Sequence, residues 1–580
     1  MFRPVNTAEW EVTVDHAPSG NIYVRPKALL GPYPIKLTDK LDYWAEHAPD
    51  RTFLAERDAS GEWRSISYGN FRSRVRGVAQ GLLDRGLNTQ TPVAILSGNS
   101  IEHALVAYGA MYVGIPHAPL SPAYSTVSKD FARLKQICGV LRPSLLFAVG
   151  GSKFAPAIAA VLGGAMQVAH STDELARPAT PEVDAAAASI TRDTIAKILF
   201  TSGSTGAPKG VITTQRMLCS NQEMLCTALP CLKSPPPVIC DWLPWNHVFG
   251  GNHNFGLVLY NGGTMYLDEG KPTPGLFAKT LRNLREVATT VYFNVPKGYE
   301  LLIPALRDDA AFRETFYSRL GMTFFAAAGL SQRVWDDFDE ISIAHCGARI
   351  AMLTGLGATE TSPFSLCVRK ELSRSGAVGL PVPGVELKLA KVGEKWEARL
   401  RGDNILRGFW EQPELTRKAF DEEGFYCMGD ALRWVDAADP QKGLLFDGRI
   451  NEDFKLSTGT WVSVGPLRMS FILHCAPYVR DVVIAGANEN DVTALVFADQ
   501  DNPPPSLLET FKDLLESFSA KATGSSTRIA RLILLQDPPS LDASEITDKG
   551  SINQKAVLRH REDLVKDLYT TPPPAHVICL

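Results

Sequence analysis

The sequence predicts a multidomain α/β protein whose core is built from layered parallel sheets, and three observations carry that reading. Short apolar, β-branched runs recur at residues 93–96, 145–149, 198–200, 291–295 and 322–325. Stretches of helical length separate them, the alternation that parallel α/β layers produce. The chain has 580 residues, several times the roughly 100–200 of a typical domain, so it holds more than one core.

Residues 68–83 illustrate the helices. Phe71, Val75, Val78, Leu82 and Leu83 recur at helical spacing before Arg85 and Gly86 stop the segment, which gives a core-facing helix without chemistry of its own. Residues 145–169 form the most apolar stretch, but Lys153, Pro156 and several glycines interrupt it. It therefore reads as strand, loop and helix rather than a membrane span. The alanines at 185–188 and the proline clusters at 235–237, 503–505 and 572–574 read as loops or linkers. No repeat with a period of about 20–50 residues is visible, which argues against a solenoid.

Composition narrows the function. Hydrophobic residues at 45% and charged residues at 21% suit a soluble globular chain, and 59 basic against 63 acidic residues leave a net charge of −4. That balance has no polybasic signature, so nucleic acid is not expected as a partner. The first residues lack the basic and apolar regions of a secretory signal, the closing ICL does not match the peroxisomal SKL address, and Cys579 lies too near the end for prenylation. A cytoplasmic location is the expectation. Cys219, Cys226, Cys231 and Cys240 lie close together without the paired CxxC of zinc sites, and are expected to be reduced, mostly buried thiols.

The most informative tract is TSGSTGAPKG at residues 201–210, directly after the apolar run Ile198, Leu199, Phe200. Gly203, Gly206 and Gly210 can take backbone angles closed to other residues, so consecutive amides can turn onto an anion. Ser202, Ser204 and Thr205 add hydroxyl donors, and Lys209 adds a point charge. A Walker loop needs a Ser or Thr after its GK to hold magnesium, whereas here Lys209 follows Pro208 and precedes Gly210. The tract therefore reads as a different polyphosphate cradle. The whole string resembles the phosphate loop of the adenylate-forming superfamily of acyl-CoA synthetases, luciferases and peptide-synthetase adenylation domains.

That resemblance organises the remaining motifs. LTGLGATETSP at residues 353–363 presents Thr359 and Glu360 after the turn Gly355, Leu356, Gly357. A carboxylate beside phosphates needs a cation between them, so Glu360 reads as a Mg2+ ligand and Thr359 as a phosphate donor. The superfamily's YGxTE motif stacks its tyrosine on adenine, and Leu356 stands there instead, implying apolar packing. In GFYCMGD, Asp430 matches the aspartate that accepts the ribose hydroxyls. Arg449, in FDGRINEDFKLSTGTWVSVGPLR, offers a five-donor guanidinium for ribose or phosphate. By the same resemblance the chain divides into a large ATP- and acyl-binding domain, 1–449, and a small, mobile α+β lid domain, 450–580. The hinge falls at or near Asn451, where relatives carry Asp or Lys, and Gly459 would approach the pantetheine of coenzyme A in a second conformation. The closing PxTxxGKxxR segment is the weakest match. EITDKGSINQKAV puts Ser551 where the adenylation lysine belongs, and a neutral hydroxyl cannot replace a cation there. Lys549 is the first candidate and Lys555 the second.

Between these motifs lies DWLPWNHVFGGNHNFG, residues 241–256, whose aromatic and imidazole side chains suit a flat slot for a planar ring. His247 falls at the superfamily position beside the substrate carboxylate and Phe249 where relatives acting on coumaric-type acids carry an aromatic. His253 reads as structural. Residues 292–297 and the turn Ala327, Ala328, Gly329, with Leu356, would add pocket walls. Along nearly its whole length the chain is most similar to the feruloyl-CoA synthases. The resemblance implies ligation of a small carboxylic acid to coenzyme A with ATP and Mg2+, catalysed with Lys549, His247, Thr205 and Glu360 and releasing AMP and pyrophosphate. Another aromatic or medium-chain fatty acid as substrate, and a catalytically silent nucleotide-binding protein, remain open alternatives.

Overall fold

The alternating apolar runs become parallel strands. In the computed structural model, residues 1–580 are described apart from 203–206, 274, 500–502, 548–549 and 551 and the side chain of Ser202. Strands Val93–Ile95, His117–Pro119, Leu145–Phe147 and Gln167–Ala169 lie parallel, with Ile195–Ser202 beside His117–Pro119 and Pro208–Thr214 returning antiparallel at the edge. Val291–Asn294, Met322–Phe325 and Ala351–Leu356 are likewise parallel. They continue through Leu366–Cys367 into an antiparallel run that contains Tyr426–Trp434 and Leu444–Arg449. A third sheet joins Val238–Asp241 and Thr264–Leu267 to the hairpin Thr52–Arg57 and Trp63–Ser67.

The helix expected at residues 68–83 forms with those bounds. Ser67 caps it by accepting from the Asn70 amide, and Phe71, Val75, Val78 and Leu82 are buried. Its closest partner is Ile101–Tyr112, and the two approach so nearly that a Cβ on Gly109 would lie 2.7 Å from Val78 Cγ1. Glycine is there for contact, because helix backbones can touch only where one side chain is missing. Residues 145–169 resolve into the strand Leu145–Phe147, the helix Ala155–Val161 and the strand Gln167–Ala169. Among the described residues no helix is long and apolar enough to cross a membrane.

One expectation fails. The alanines at 185–188 are not a linker but the last turns of a helix, Pro181–Ala188, whose cap Thr180 accepts from the Glu182 amide. Proline at the first helical position, acids in the first turn and alanine throughout favour a helix locally, and that outweighs the absence of large apolar residues. Cys219, Cys226 and Cys240 are buried free thiols and Cys231 is half-buried, with burial pushing each thiol's pKa up.

From residue 454 onward the chain forms a smaller α+β unit. Strands Val479–Ala485, Val492–Ala498, Ile529–Leu534 and Val577–Cys579 make its sheet, and Leu456, Val462, Phe471, Phe511 and Leu515 lie in its own core. Gly109→Val should lower stability by about 1–3 kcal/mol through overpacking. Chemical denaturation should show this, and Val78→Ala in the same chain should recover part of the loss, since the two side chains would compete for one space.

Candidate functional site

The phosphate tract bridges two antiparallel strands. Thr201, half-buried, lies one residue before the end of Ile195–Ser202, directly opposite Lys209 in Pro208–Thr214, while Gly203, Ser204, Thr205 and Gly206 lie outside the described residues. Lys209 holds its ammonium 5.7 Å from the Phe409 ring centroid. The returning strand is stitched to residues 408–412. The Trp410 amide donates to Gly210 O at 2.7 Å and the Ile212 amide to Gly408 O. Gln412 closes the stitch, donating through Nε2 to Pro208 O at 3.0 Å and accepting from the Gly210 amide. Nothing local in the sequence marks Gln412, since its role exists only once the strips are adjacent.

The same segment holds the Glu360 turn. Leu406 N donates to Glu360 O at 2.8 Å, and fully buried Asn404 donates through Nδ2 to Thr361 O, Phe364 O and Ser365 Oγ. Asn221 contacts Phe364 from the other side, donating to its carbonyl and accepting from its amide. Gly355 and Gly357 have no room for a Cβ, which would strike Leu366 O and Pro363 O respectively. Thr359 is buried at the start of this turn, and Leu356 lies half-buried at the end of its strand. Among the described residues no group of three or more His, Cys, Asp or Glu side chains is placed to hold a metal. Glu360 offers one carboxylate, and Mg2+ commonly takes one or two protein carboxylates and completes its shell with phosphate oxygens and water.

Asp430 and Arg449 are register partners on adjacent strands, with Arg449 Nε 3.5 Å from Asp430 Oδ1. The aspartate is mostly buried and the arginine mostly exposed, at 13% and 64% side-chain exposure. Burial is the main reason the Asp430 pKa is raised to about 6. Arg449 opposes the shift, and the nearby charges of Glu452 and Glu360 add to it. Asn451 follows at a turn in which Ile450 N donates to Gly429 O. Lys395 spans that turn, pairing with Asp453 beyond it and donating to Asp447 O before it at 2.6 Å.

The aromatic wall is one cluster. Residues Phe249–Asn254 form a π-helix that packs Phe249 against His253, with ring centroids 5.3 Å apart. His247 stands just before it, its carbonyl accepting from the Gly251 amide at 2.7 Å. Phe293, Phe324 and Phe364 lie 5.1, 5.7 and 6.1 Å from the His253 ring. The strand Met322–Phe325 then enters the turn at Ala327, Ala328 and Gly329, all exposed. Ala327 has φ +75°, a left-handed conformation that costs a non-glycine residue of order 1 kcal/mol.

One predicted residue, Gly459, sits away from the aromatic cluster. Gly459, φ +82°, occupies an exposed turn of the small unit, and that hairpin's Trp461 meets Gly393, not the aromatic cluster. Lys549 and Ser551 lie outside the described residues. Their flanks, Ile546 and Ile552, pair antiparallel, and Gly550 turns with φ +83°. Lys555 is exposed on the helix Gln554–His560. The hairpin's base is fixed by Arg561, which binds Glu545 through two nitrogens at 2.9 and 2.7 Å. Asp542 reaches the large unit, accepting from Ser128 Oγ at 2.6 Å and from the Lys129 amide.

Residues 41–410 match the family described as AMP-binding enzyme, and residues 454–572 match the AMP-binding enzyme C-terminal domain. Over 456 residues the chain is 26% identical to 4-coumarate–CoA ligase 5 of Oryza sativa subsp. japonica, covering 75% of this chain and 80% of that one. It is 28% identical over 256 residues to the long-chain-fatty-acid–CoA ligase of Haemophilus influenzae, 42% of this chain and 43% of the relative. The chain thus spans about half the length of several curated relatives it matches, from 43% to 51%. Its fold is similar to that of the anthranilate CoA ligase AuaEII in complex with anthranoyl-AMP, with a TM-score of 0.71 at 20% identity over 93% of this chain and 99% of the other.

The raised Asp430 pKa has a consequence for stability. Folding favours the protonated carboxyl, so as pH rises from about 4, where an unfolded aspartate ionises, to about 6, the folded chain should lose stability relative to the unfolded one. Asp430→Asn should remove that loss and raise the melting temperature of the ligand-free protein at pH 7.5. A melting series across pH 4–7.5 should show a decline in the parent due to this residue and a flatter profile in the variant.

Proposed function

The chain belongs to the AMP-binding enzyme family, and from that premise we propose that it is an ATP-dependent aryl-CoA ligase. Its substrate on this reading is ferulate or a related hydroxycinnamate, joined to coenzyme A by way of an acyl adenylate. One observation supports this most. The strip at residues 404–412 ties the phosphate-tract strand to the Glu360 turn, and that turn leads within four residues to Phe364 of the aromatic cluster. The strand that carries Lys209, the Glu360 turn and a flat apolar wall are thereby fastened side by side. The 4-coumarate relative and the structural neighbour holding anthranoyl-AMP support an aromatic acid.

In the first half-reaction a carboxylate oxygen of the acid attacks the α-phosphorus of ATP, and the bond to the β-phosphate breaks. The residues need chiefly to hold these groups in line and offset their charge. Lys209 and the hydroxyls of Thr201, Ser202, Ser204 and Thr205, on the amides around Gly203 and Gly206, hold the β- and γ-phosphates. Thr359 donates to phosphate. Glu360 would hold Mg2+, which neutralises phosphate charge when bound. Asp430 accepts from the ribose hydroxyls, Arg449 steadies the ribose, and Gly355, Leu356 and Gly357 pack under adenine. His247 sits beside the substrate carboxylate. Phe249, Ala327, Ala328 and Gly329 enclose the acyl group, and Lys549 approaches from the small unit to stabilise the charge developing between carboxylate and α-phosphate.

In the second half-reaction the small unit turns about Asn451 and brings Gly459 to the pantetheine arm. The thiol sulfur attacks the acyl carbonyl, its proton leaves, and the bond to AMP breaks. Carrying Lys549 and Gly459 at different places on one mobile unit lets each serve one step.

AMP formation from ferulate, coumarate, benzoate and octanoate, each with and without coenzyme A, tests the proposal. Ferulate or coumarate should give the highest rate, and coenzyme A should be needed for turnover. Binding of ATP and ferulate without pyrophosphate exchange would overturn it. Lys549→Ala should slow adenylation by about 100- to 1,000-fold, the usual cost of losing an oxyanion-stabilising group, while leaving thioester formation from preformed acyl adenylate near the parent rate. Full adenylation in that variant would remove Lys549 from the scheme.

A further inference from the structure

His253 carries more than packing. The π-helix that contains it, Phe249–Asn254, is a rare conformation concentrated at functional sites. Its imidazole is 1% exposed and surrounded by Phe249, Phe293, Phe324 and Phe364 at 5.1–6.1 Å. A cage of this kind would be filled at lower cost by a fifth phenylalanine or a leucine, since a buried polar atom without a partner is destabilising. One imidazole nitrogen has a partner: Nδ1 lies 2.8 Å from Asn254 Oδ1. The other, Nε2, is buried and has none among the described residues.

The hydrogen-bond chain behind the ring decides what Nε2 can do. Asn254 Nδ2 donates to Asp241 Oδ2 at 3.0 Å, which turns the amide oxygen of Asn254 toward His253. An amide oxygen only accepts, so the proton of the neutral imidazole sits on Nδ1 and Nε2 presents a lone pair. Burial holds the imidazole pKa down to about 4, so the ring is uncharged at neutral pH. The result is one oriented acceptor in an otherwise apolar aromatic cage. A ligand that completes it brings a hydrogen-bond donor on a flat apolar body.

We infer that His253 is a specificity-determining residue, and that its Nε2 accepts a hydrogen bond from a hydroxyl at the end of the acyl group farthest from the carboxylate. The placement follows from the packing. Phe249, assigned above to the acyl wall, has its ring 5.3 Å from that of His253, and the imidazole is buried whereas the turn at Ala327, Ala328 and Gly329 is exposed. The imidazole therefore lies behind that wall and away from the exposed turn. An aryl acid with a hydroxyl opposite its acyl chain places that O–H at the imidazole. The same acid without the hydroxyl, or with a methyl ether there, leaves Nε2 buried and unpaired. Discrimination by such a site exceeds what apolar fit alone gives, because the cost falls on the protein's own unpaired group.

The inference rests on the ligase reading above, and its test separates the two. Pyrophosphate release is measured for 4-hydroxycinnamate, cinnamate and 4-methoxycinnamate with the parent chain and with His253→Leu, whose folding is checked by thermal melting. The parent should favour the hydroxy acid over both analogues by on the order of a hundred-fold or more in kcat/KM, and His253→Leu should bring the three rates together. Equal rates in the parent, or a hydroxyl preference that survives in the variant, overturns the inference while leaving the ligase reading intact. A second measurement needs no variant. In 15N-histidine-labelled parent protein, 4-hydroxycinnamate should move the His253 Nε2 resonance as that nitrogen accepts a hydrogen bond, and cinnamate should not. If that shift appears but no acid is adenylated, the ligase reading falls and the pocket assignment stands. If the two acids leave the resonance alike, the pocket assignment falls.

Discussion

The strip at residues 404–412 is the constraint on which the site depends. It is irregular backbone packed against three elements, and irregular backbone is buried only where each polar group finds a partner. Here the partners are the site itself: Thr361 O, Phe364 O and Ser365 Oγ for Asn404, Glu360 O for the Leu406 amide, and Gly210 O for the Trp410 amide. Gln412 adds two further bonds to the phosphate-tract strand. Two loops that begin on different sheets are thereby fixed relative to one another. Preorganisation of this kind matters most where charge must be met at a defined place, because groups already held in position need no rearrangement when charge develops.

Rigidity at the strip is matched by electrostatic tension around it. Burial raises Asp430 to about 6 and Asp241 to about 7, and lowers Lys197, whose ammonium donates to the Gly251 carbonyl at 3.1 Å, to about 7. Groups this far from their usual values weaken the fold, yet all three lie on or against the elements that form the candidate site. Cores built for stability alone exclude such groups or pair them. Their concentration here matches the general pattern in which binding sites keep groups that the fold would not choose.

The fold was legible where one residue pattern had one physical solution. The helix at residues 68–83 and the strand Met322–Phe325 follow from apolar periodicity, and the structure gives both with the expected bounds. The alanines at 185–188 were misleading because their helix is determined by its cap and propensity rather than by an apolar stripe. At the candidate site, Glu360 and Asp430 could be singled out because their strings resemble motifs of a known superfamily. Asn404, Gln412, Asn254 and the role of His253 were not. Each acts across a long sequence separation or through a neighbour's orientation, and a single asparagine in a sequence carries no mark of the carbonyls it will meet.

The contacts between the two units set how freely the small one can move. Asp542 meets Ser128 and the Lys129 amide near the surface, and Lys395 bridges Asp447 and Asp453 across the turn at Asn451. On the proposed rotation about Asn451 the first contact would break, whereas Lys395 has its partners on either side of that turn. Polar contacts near the surface are worth roughly 0–1 kcal/mol each, because water competes for the same groups. The helix Val464–His474 also packs against the strand Leu444–Arg449, with Gly465 beside Gly448, so the hinge side of the contact is packed while the Asp542 side is polar. Rigid-body motions of units joined in this way occur in microseconds to milliseconds. On the proposed two-step scheme the Asp542 contact is the one that would exchange between steps, while Lys395 and the helix Val464–His474 hold the chain on either side of the turn at Asn451.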